Sequence, residues 1–178
     1  SLKIFLAKVN IHELDGDIDY RTRNIIKFDE HDSNKIISDV EISNFIIDNF
    51  GLDQQKSDQI SINDRKFTCK LVSNNILWIE FNDFFRKATG SKDYTYISNK
   101  FDWVFISNFK KNNDDSIDVI RRFISFIDIT YTNKTKIKFF FNDITIESIY
   151  TGTKIENLWV RCKSRLSEMR TQEYLTNN

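Results

Sequence analysis

The feature that most constrains this chain is the stretch over residues 76–94, in which an apolar run stops abruptly at Asn82-Asp83. The run is rich in β-branched and aromatic residues, and a similar run over residues 67–72 precedes it across a short turn, Ser73-Asn74-Asn75. Such an arrangement is typical of a β-hairpin. Either residue of the Asn-Asp pair is suited to cap a following helix, and Gly90 is suited to end it. The stretch therefore predicts a hairpin followed by a compact helix.

A related pattern recurs later in the chain. Residues 126–141 are predicted to form a second hairpin, which ends at Phe141-Asn142-Asp143 and leads through a short helix to Thr151-Gly152-Thr153-Lys154. The first copy has Phe81-Asn82-Asp83 and Thr89-Gly90-Ser91-Lys92 at the corresponding places. Two related hairpin-plus-helix units predict an α+β fold. Chance similarity in a chain rich in Phe, Asn and Lys is the alternative explanation.

The residues outside these units have simpler patterns. Residues 2–9 and 18–28 predict the two arms of an amino-terminal hairpin, with the Asp15-Gly16 turn between them. Residues 36–50 carry apolar side chains at spacings of three and four, which predicts a helix that ends at Gly51. Two further segments also have helical spacing: residues 117–126 and 155–175.

Charge is distributed unevenly over three segments, into which we divide the chain. The whole sequence has 26 Lys and Arg residues and 26 Asp and Glu residues. The amino-terminal hairpin and helix, residues 1–64, carry 7 basic and 13 acidic residues, hence a net charge of −6. The first unit, residues 65–120, carries 9 and 7, hence +2, and the second unit, residues 121–178, carries 10 and 6, hence +4. An acidic amino-terminal segment followed by a basic remainder favours a partner that binds the basic part, or self-association. Chance segregation of solvated charged faces explains the pattern equally well.

Basic side chains are interleaved with aromatic ones in both units, which suits phosphate contacts and base stacking. Alternation over residues 134–138 also predicts three lysines on one face of a strand. Two structural alternatives remain: aromatic residues in the core with solvated cations, and strand lysines that prevent edge-to-edge pairing. The candidate nucleic-acid-binding residues are Arg86, Lys87, Lys92, Lys100, Lys134, Lys136, Lys138, Lys154, Arg161, Lys163 and Arg165.

The sequence LWIEFNDFFRKATG over residues 77–90 also resembles a known pattern, in which an aromatic strand ending in Trp-Phe-x-x-x-Asp leads to a helix and a Leu-Gly-Tyr stop. That pattern belongs to the Bro-N domain, which is often grouped with the KilA-N domains of large DNA viruses and phages. The resemblance covers residues 66–108 and departs from the family at Ile79, Thr89 and Ser91, where the family has Phe, Leu and Tyr. It implies a viral or phage origin and a DNA-binding or DNA-associated role.

Motifs for metal binding or catalysis are absent from the sequence. His12 and His31 are the only histidines, and neither has a second His or Cys at metal-ligand spacing. The carboxylates of residues 15–19 resemble the start of a calcium loop, but Tyr20 occupies the place of its Gly and Ile26 that of its Glu. We therefore expect no metal.

The remaining chemical signals are also weak. Thr89-Gly90-Ser91-Lys92 lacks the other glycines of a phosphate-binding P-loop, so we expect neither a cofactor nor enzyme activity. Cys69 and Cys162 are isolated, which favours a reducing compartment over a secreted disulfide framework. No apolar run reaches the roughly 18–20 residues that span a bilayer, so we expect no membrane partner.

These patterns lead to a prediction of a non-enzymatic viral or phage protein that binds nucleic acid, with double-stranded DNA as the expected partner. The alternative is a structural, self-assembling or host-factor-binding protein without catalytic activity, acting as a homo-oligomer or with a host protein. Either protein is expected to be intracellular, in the cytoplasm or nucleus of a host cell if it is viral.

Overall fold

The computed structural model describes residues 21–25, 36–51 and 57–176, which form an α+β fold around a five-stranded mixed sheet. The strands are Ser57–Ile62 (β1), Arg65–Val72 (β2), Ile76–Glu80 (β3), Trp103–Ser107 (β4) and Lys136–Phe139 (β5). The helices are residues 21–25 (α1), Asp39–Phe50 (α2), Phe81–Phe85 (α3), Ser91–Lys100 (α4), Ile117–Thr132 (α5), Ile146–Ile149 (α6), Glu156–Met169 (α7) and Gln172–Thr176 (α8). The predicted α+β class is confirmed.

The sheet has the order β1-β2-β3-β4-β5, and its two halves differ in direction. The pairs β1/β2 and β2/β3 are antiparallel, whereas β3/β4 and β4/β5 are parallel. Parallel neighbours need a long crossover connection, which α3 and α4 supply between β3 and β4, and α5 between β4 and β5. The carboxyl ends of the three parallel strands therefore meet at one edge of the sheet.

The two predicted hairpins have different outcomes. Leu71 pairs with Trp78 and Val72 with Leu77, so β2 and β3 form an antiparallel pair across the predicted turn. The second hairpin, over residues 126–141, is wrong because residues 126–131 belong to α5. The buried residues of α5 recur at helical spacing up to Thr130, so the apolar run continues a helical stripe. The description as two related hairpin-plus-helix units is therefore not confirmed.

The predicted helix over residues 36–50 forms, but it begins at Asp39. Ser38 caps it, since its Oγ accepts a hydrogen bond from the N–H of Glu41 and the Glu41 carboxylate accepts one from the N–H of Ser38. Gly51 follows with φ +67°, a left-handed value that favours glycine, and its N–H donates to the carbonyl of Ile47. Both ends of this helix are thus set by local sequence.

The amino-terminal hairpin is tested only where the structure describes it. Residues 21–25 are helical, so the returning strand predicted over residues 18–28 is wrong there. The rest of that hairpin, the carboxylates of residues 15–19, and both histidines lie outside the described residues. The segment boundaries after residues 64 and 120 stay a prediction.

Aromatic residues of the stretch 76–94 lie in the hydrophobic core. Phe81, Phe84, Phe85 and Tyr94 are each at most 1% exposed. The ring of Phe85 lies 5.3 Å from that of Phe123 on α5, which ties α3 to that helix. These rings are consequently not available to stack on nucleic acid bases. Within residues 21–25, 36–51 and 57–176, no helix is both long enough and apolar enough to cross a bilayer.

Candidate anion-binding cleft

The loop over residues 88–93 borders a cleft of about 490 Å³. The loop follows α3 and leads into α4, and the cleft is completed by Asn63 and Arg65 at the β1–β2 turn and by Arg122 on α5. The N–H of Gly90 donates to the carboxylate of Asp93, three residues later in the first turn of α4. The sequence thus builds one wall of the cleft locally, whereas β2 and α5 bring the other walls from distant parts of the chain.

Arg65 and Asp93 form the rigid part of this cleft. Arg65 Nη2 lies 2.5 Å from Asp93 Oδ2, and Arg65 Nη1 donates to the carbonyl of Ala88 over 2.7 Å. Burial of Asp93 raises the pKa of its carboxyl, but the hydrogen bonds from Arg65, Gly90 and Asn63 outweigh it and lower the pKa below its usual value. Asp93 is therefore an anion that fixes Arg65, rather than a proton donor.

Arg122 reaches the cleft from α5 and is anchored by main-chain carbonyls. Its Nη1 donates to the carbonyl of Phe85 over 3.1 Å and makes a longer contact of 3.5 Å with the carbonyl of Arg86. In the described part of the chain, no carboxylate lies within 4 Å of the Arg122 guanidinium. A guanidinium has five N–H donors, so this anchoring leaves donors for a ligand. Arg122 is therefore positioned without being neutralised.

The cleft contains three cationic side chains, Arg65, Lys92 and Arg122, against the single carboxylate of Asp93. Lys92 also has no carboxylate within 4 Å among the described residues. Tyr94 lies beneath, with its hydroxyl 2.7 Å from Thr89 Oγ1, and burial raises the pKa of that hydroxyl to about 12. The net charge of +2 suits an anion, and among its lining residues the cleft has no group suited to proton transfer near neutral pH.

Of the predicted nucleic-acid-binding residues, only Lys92 lines this cleft, and Arg86 and Lys87 are exposed on the adjoining turn. Lys100, at the end of α4, donates to the hydroxyl of Tyr96 over 3.0 Å. Lys154 contributes a backbone N–H to an internal contact with Asp114. Apart from these residues, the set is divided between β5, the turn before it and α7.

The three lysines predicted on one strand face do not form an exposed row. Lys134 lies in the turn before β5, and Lys136 and Lys138 are on the strand. Lys138 is only 4% exposed, and its Nζ lies 5.2 Å from the centre of the Phe140 ring. Burial, with a smaller effect from the nearby Arg170, lowers the pKa of Lys138 to about 7. Lys138 is therefore part of the interior, which strand alternation alone did not reveal.

The arginines of α7 are engaged with α5. Arg161 Nη2 lies 2.8 Å from Asp128 Oδ2, and Arg165 forms a second ion pair with the other oxygen of the same carboxylate. The guanidinium of Arg165 also lies over the Tyr131 ring, at 4.9 Å from its centre. These contacts join two helices, while Lys163 has no polar contact among the described residues.

The loop at the second Thr-Gly stretch, residues 151–154, is bound by the carboxylate of Asp114. Asp114 Oδ2 accepts a hydrogen bond from the N–H of Thr153 over 3.1 Å, and Asp114 Oδ1 accepts one from the N–H of Lys154 over 3.2 Å. The Tyr150 hydroxyl donates to the same carboxylate. Asp114 thus occupies the backbone donors that a phosphate would need, and this loop offers no anion site.

The carboxyl edge of the parallel strands, where open α/β sheets commonly bind ligands, is likewise satisfied internally. Glu80 ends β3 and accepts a hydrogen bond from Asn108 Nδ2 over 2.6 Å. The other oxygen of Glu80 lies 2.9 Å from Lys70 Nζ, which also pairs with Asp39 on α2. Within the described residues no group of three His, Cys, Asp or Glu side chains is placed to hold a metal ion.

Arg65 and Arg122 were missed as candidate residues. Arg65 directly follows the polar turn Asn63-Asp64, and Arg122 is the second residue of an Arg-Arg pair that helical periodicity places outward. No local sequence signal distinguishes these two arginines. Arg122 is half-buried and Arg121 is exposed, and that contrast is visible only in the structure.

Comparison with known proteins adds a further finding. The sequence model of a family described as AFG1-like ATPase matches residues 2–178. An uncharacterized protein, C115.02c of Schizosaccharomyces pombe, is 24% identical over 151 residues, which cover 69% of this chain and 33% of that protein. The cell division protein ZapE of Escherichia coli K12 is 25% identical over 171 residues, covering 93% of this chain and 44% of ZapE. This chain thus spans a third to less than half of the length of these relatives, and no solved structure matches it significantly.

Proposed function

The chain belongs to the AFG1-like ATPase family, and on this basis we propose that it serves ATP hydrolysis by binding phosphate oxygens of the nucleotide in the cleft of Arg65, Lys92 and Arg122. The observation that carries the proposal is the match of the family to residues 2–178. The cleft supports it because a site with a net charge of +2 and anchored guanidinium groups favours a polyanionic ligand.

Family membership corrects four predictions. The resemblance to Bro-N and KilA-N domains is wrong, because the matched family covers the whole stretch that carried it. The predicted viral nucleic-acid-binding function is wrong for the same reason, as is its alternative, a structural protein without catalytic activity. The expectation of a non-enzymatic protein is wrong because the family is one of ATPases. The viral placement in a host cell is unsupported, and self-association and a protein partner stay predictions.

The chemistry expected of the cleft is electrostatic. Phosphoryl transfer spreads negative charge over the transferred group, and arginine donors that meet this charge accelerate the reaction. Arg122 fits this role since the carbonyls of Phe85 and Arg86 fix its orientation before a ligand arrives. Arg65 is likewise held, by Ala88 and Asp93. The cleft thus supplies oriented positive charge with little reorganisation.

The cleft is proposed to complement a phosphate-binding loop rather than to replace one. The 178 residues contain no G-x-x-x-x-G-K-[ST] sequence, which is the usual backbone cradle for nucleotide phosphates. In ATPases, arginines outside such a loop act on the transferred phosphoryl group. We assign the cleft to that part of the reaction, and we assign no general acid or base to these residues.

The test measures phosphate release from Mg-ATP by the protein and its Arg122→Gln variant. If Arg122 meets the charge of the transition state, kcat falls by about tenfold or more, since arginines in such positions contribute up to about 10³–10⁵. KM should change less than kcat. The Arg122→Lys variant keeps the charge but loses the planar fork, and we expect it to restore only part of the activity.

The matched control is Arg121→Gln, because Arg121 is the exposed neighbour on the same helix and does not line the cleft. Thermal unfolding of both variants checks that loss of the Phe85 contact has not unfolded α3. The proposal is contradicted if the unaltered protein neither hydrolyses nor binds Mg-ATP, or if the two variants lower kcat equally.

A further inference from the structure

We propose that a second cavity, at the amino-terminal ends of β4 and β5, binds a small molecule through a phosphate group. The cavity has a volume of about 440 Å³ and lies at the far end of α4 from the cleft, since Ser98 and Phe101 line it. It does not depend on the proposed role of the cleft in ATP hydrolysis, and no residue lines both.

Three cations and one carboxylate border this cavity. Arg21, Lys134 and Lys136 supply the positive charge, and Asp102 supplies the negative charge, which leaves a net charge of +2. Within the described part of the chain, none of the three cations has a carboxylate within 4 Å. A dianionic phosphate group matches this charge, whereas a single carboxylate would leave half of it unbalanced.

Lys136 is the central residue of the site. It opens β5, is half-buried, and places its Nζ 5.8 Å from the centre of the Trp103 ring. Burial lowers the pKa of its ammonium group, and Asp102 offsets this effect only in part. A cation that has lost part of its hydration without gaining an ion pair gains stability when an anion enters. The charge of Lys136 is therefore better explained by a ligand than by a structural partner.

Arg21 also lines the cavity and is held in place by α2. Its Nε donates to the carbonyl of Asn49 over 3.1 Å, and its guanidinium lies 5.0 Å from the centre of the Phe50 ring. These contacts with α2 orient the side chain and leave its terminal N–H groups for other acceptors. Lys134 stands on the turn before β5 with φ +57°, in the left-handed region, and is exposed. The site thus combines an anchored guanidinium, that of Arg21, with an exposed ammonium group, that of Lys134.

The floor of the cavity and an adjoining second cavity favour a small-molecule ligand over a polymer. Thr135 Oγ1 donates to Ser98 Oγ over 2.9 Å, and the Thr135 carbonyl accepts from the Tyr174 hydroxyl over 2.9 Å, which closes the floor. A second cavity of about 330 Å³ adjoins it and shares Arg21, Asp102 and Trp103. Together they lie within the range of typical small-molecule sites. The adjoining space can hold the remainder of a phosphorylated molecule.

The experiment titrates the 178-residue chain with pyrophosphate, inorganic phosphate and AMP by isothermal calorimetry, in low salt and without sulfate. We expect saturable binding in the wild type and a loss of affinity of about tenfold or more in Lys136→Met. Lys134→Ala should weaken binding to a smaller extent. The matched control, Lys111→Met, removes an exposed lysine elsewhere and should leave the affinity within about twofold. Arg122→Gln removes a cation of the other cleft, so the binding that depends on Lys136 should persist in this variant.

Each result has a defined meaning. Tighter binding of AMP than of inorganic phosphate identifies a nucleotide site, and equal binding identifies a site for the phosphate group alone. Absence of saturable binding with all three probes overturns the proposal, as does equal affinity of wild type and Lys136→Met. If only Arg122→Gln removes binding, the phosphate site is the cleft and not this cavity. If Lys136→Met does not fold, the affinities of Lys134→Ala and Arg21→Gln are compared with that of the wild type by the same criteria.

Discussion

Arg65 Nη2 lies 2.5 Å from Asp93 Oδ2, and this ion pair joins the start of β2 to the first turn of α4. The side chain of Asp93 is only 4% exposed, whereas that of Arg65 is 47% exposed. The same carboxylate accepts the N–H of Gly90, so it caps the helix as well as pairing with the strand. One buried carboxylate therefore holds the loop that shapes the cleft.

Replacing this carboxylate by Asp93→Asn should lower the free energy of unfolding by about 1.5–3 kcal/mol, the usual contribution of hydrogen bonds to a charged group. The amide keeps the shape but removes the charge that fixes Arg65. Urea unfolding at pH 7 measures the change. Asp64→Asn, at an exposed position of the neighbouring turn, is the control and should change stability by less than about 0.5 kcal/mol.

The pH dependence of this contribution follows from the lowered pKa of Asp93. In the unfolded chain the carboxyl titrates near its ordinary value of about 3.9, so the stabilisation is fully present above that pH. It is lost as the pH falls towards the lower pKa of the folded state. The difference in unfolding free energy between wild type and Asp93→Asn should thus be constant from pH 7 to about pH 5 and shrink below about pH 4. A difference that grows on acidification would contradict the assignment.

Gly152→Ala should destabilise the protein, whereas Gly90→Ala should have a smaller effect. A Cβ at residue 152 would collide with the Asp114 carboxylate and come within 2.6 Å of Tyr150 Cε2, whereas a Cβ at residue 90 meets nothing within 4 Å. Overpacking of this kind costs about 1–3 kcal/mol. Loss of the glycine before α4 should cost less than about 1 kcal/mol. Thermal or urea unfolding of the two variants gives the comparison, and equal costs would show that Asp114 does not close this loop.

Both thiols should be unreactive in the native protein. Burial, with a smaller effect from Asp58, raises the pKa of Cys69 to about 11, and burial raises that of Cys162 still further. At pH 8 the thiolate fraction of Cys69 is then about one in a thousand. A thiol reagent such as DTNB should react slowly with the folded chain at pH 8 and should titrate two free thiols in urea. Rapid labelling of either cysteine in the folded protein would show that its burial is incomplete.

Residues whose conformation depends on near neighbours were predictable from the sequence. The helix Asp39–Phe50 and its Gly51 end follow from spacing and capping, and the antiparallel pair β2/β3 follows from two apolar runs around a short turn. The burial of Phe84 and Phe85 was one of the alternatives that the sequence left open. For the helix and the strand pair, the deciding interactions lie within a few residues, whereas Phe85 is buried against α5.

Two predictions that were based on short sequence motifs are wrong. A stretch of fourteen residues, 77–90, suggested a viral DNA-binding domain, and a family match over residues 2–178 replaced that reading. A second hairpin was predicted over residues 126–141, because β-branched and aromatic residues fit a buried helix as well as a strand. Both errors come from patterns too short to choose between two structures.

The amino-acid sequence by itself determined the helix Asp39–Phe50, the antiparallel pair β2/β3 and the family to which the chain belongs. The tertiary structure alone decided that Arg65 meets Asp93, that Arg122 is anchored beneath α3, and that Lys138 is buried. Periodicity and capping act between residues a few positions apart, so they can be recognised in a sequence. Charge pairing and burial depend on which distant segments the sheet and the crossover helices bring together, and that is fixed only when the chain is folded.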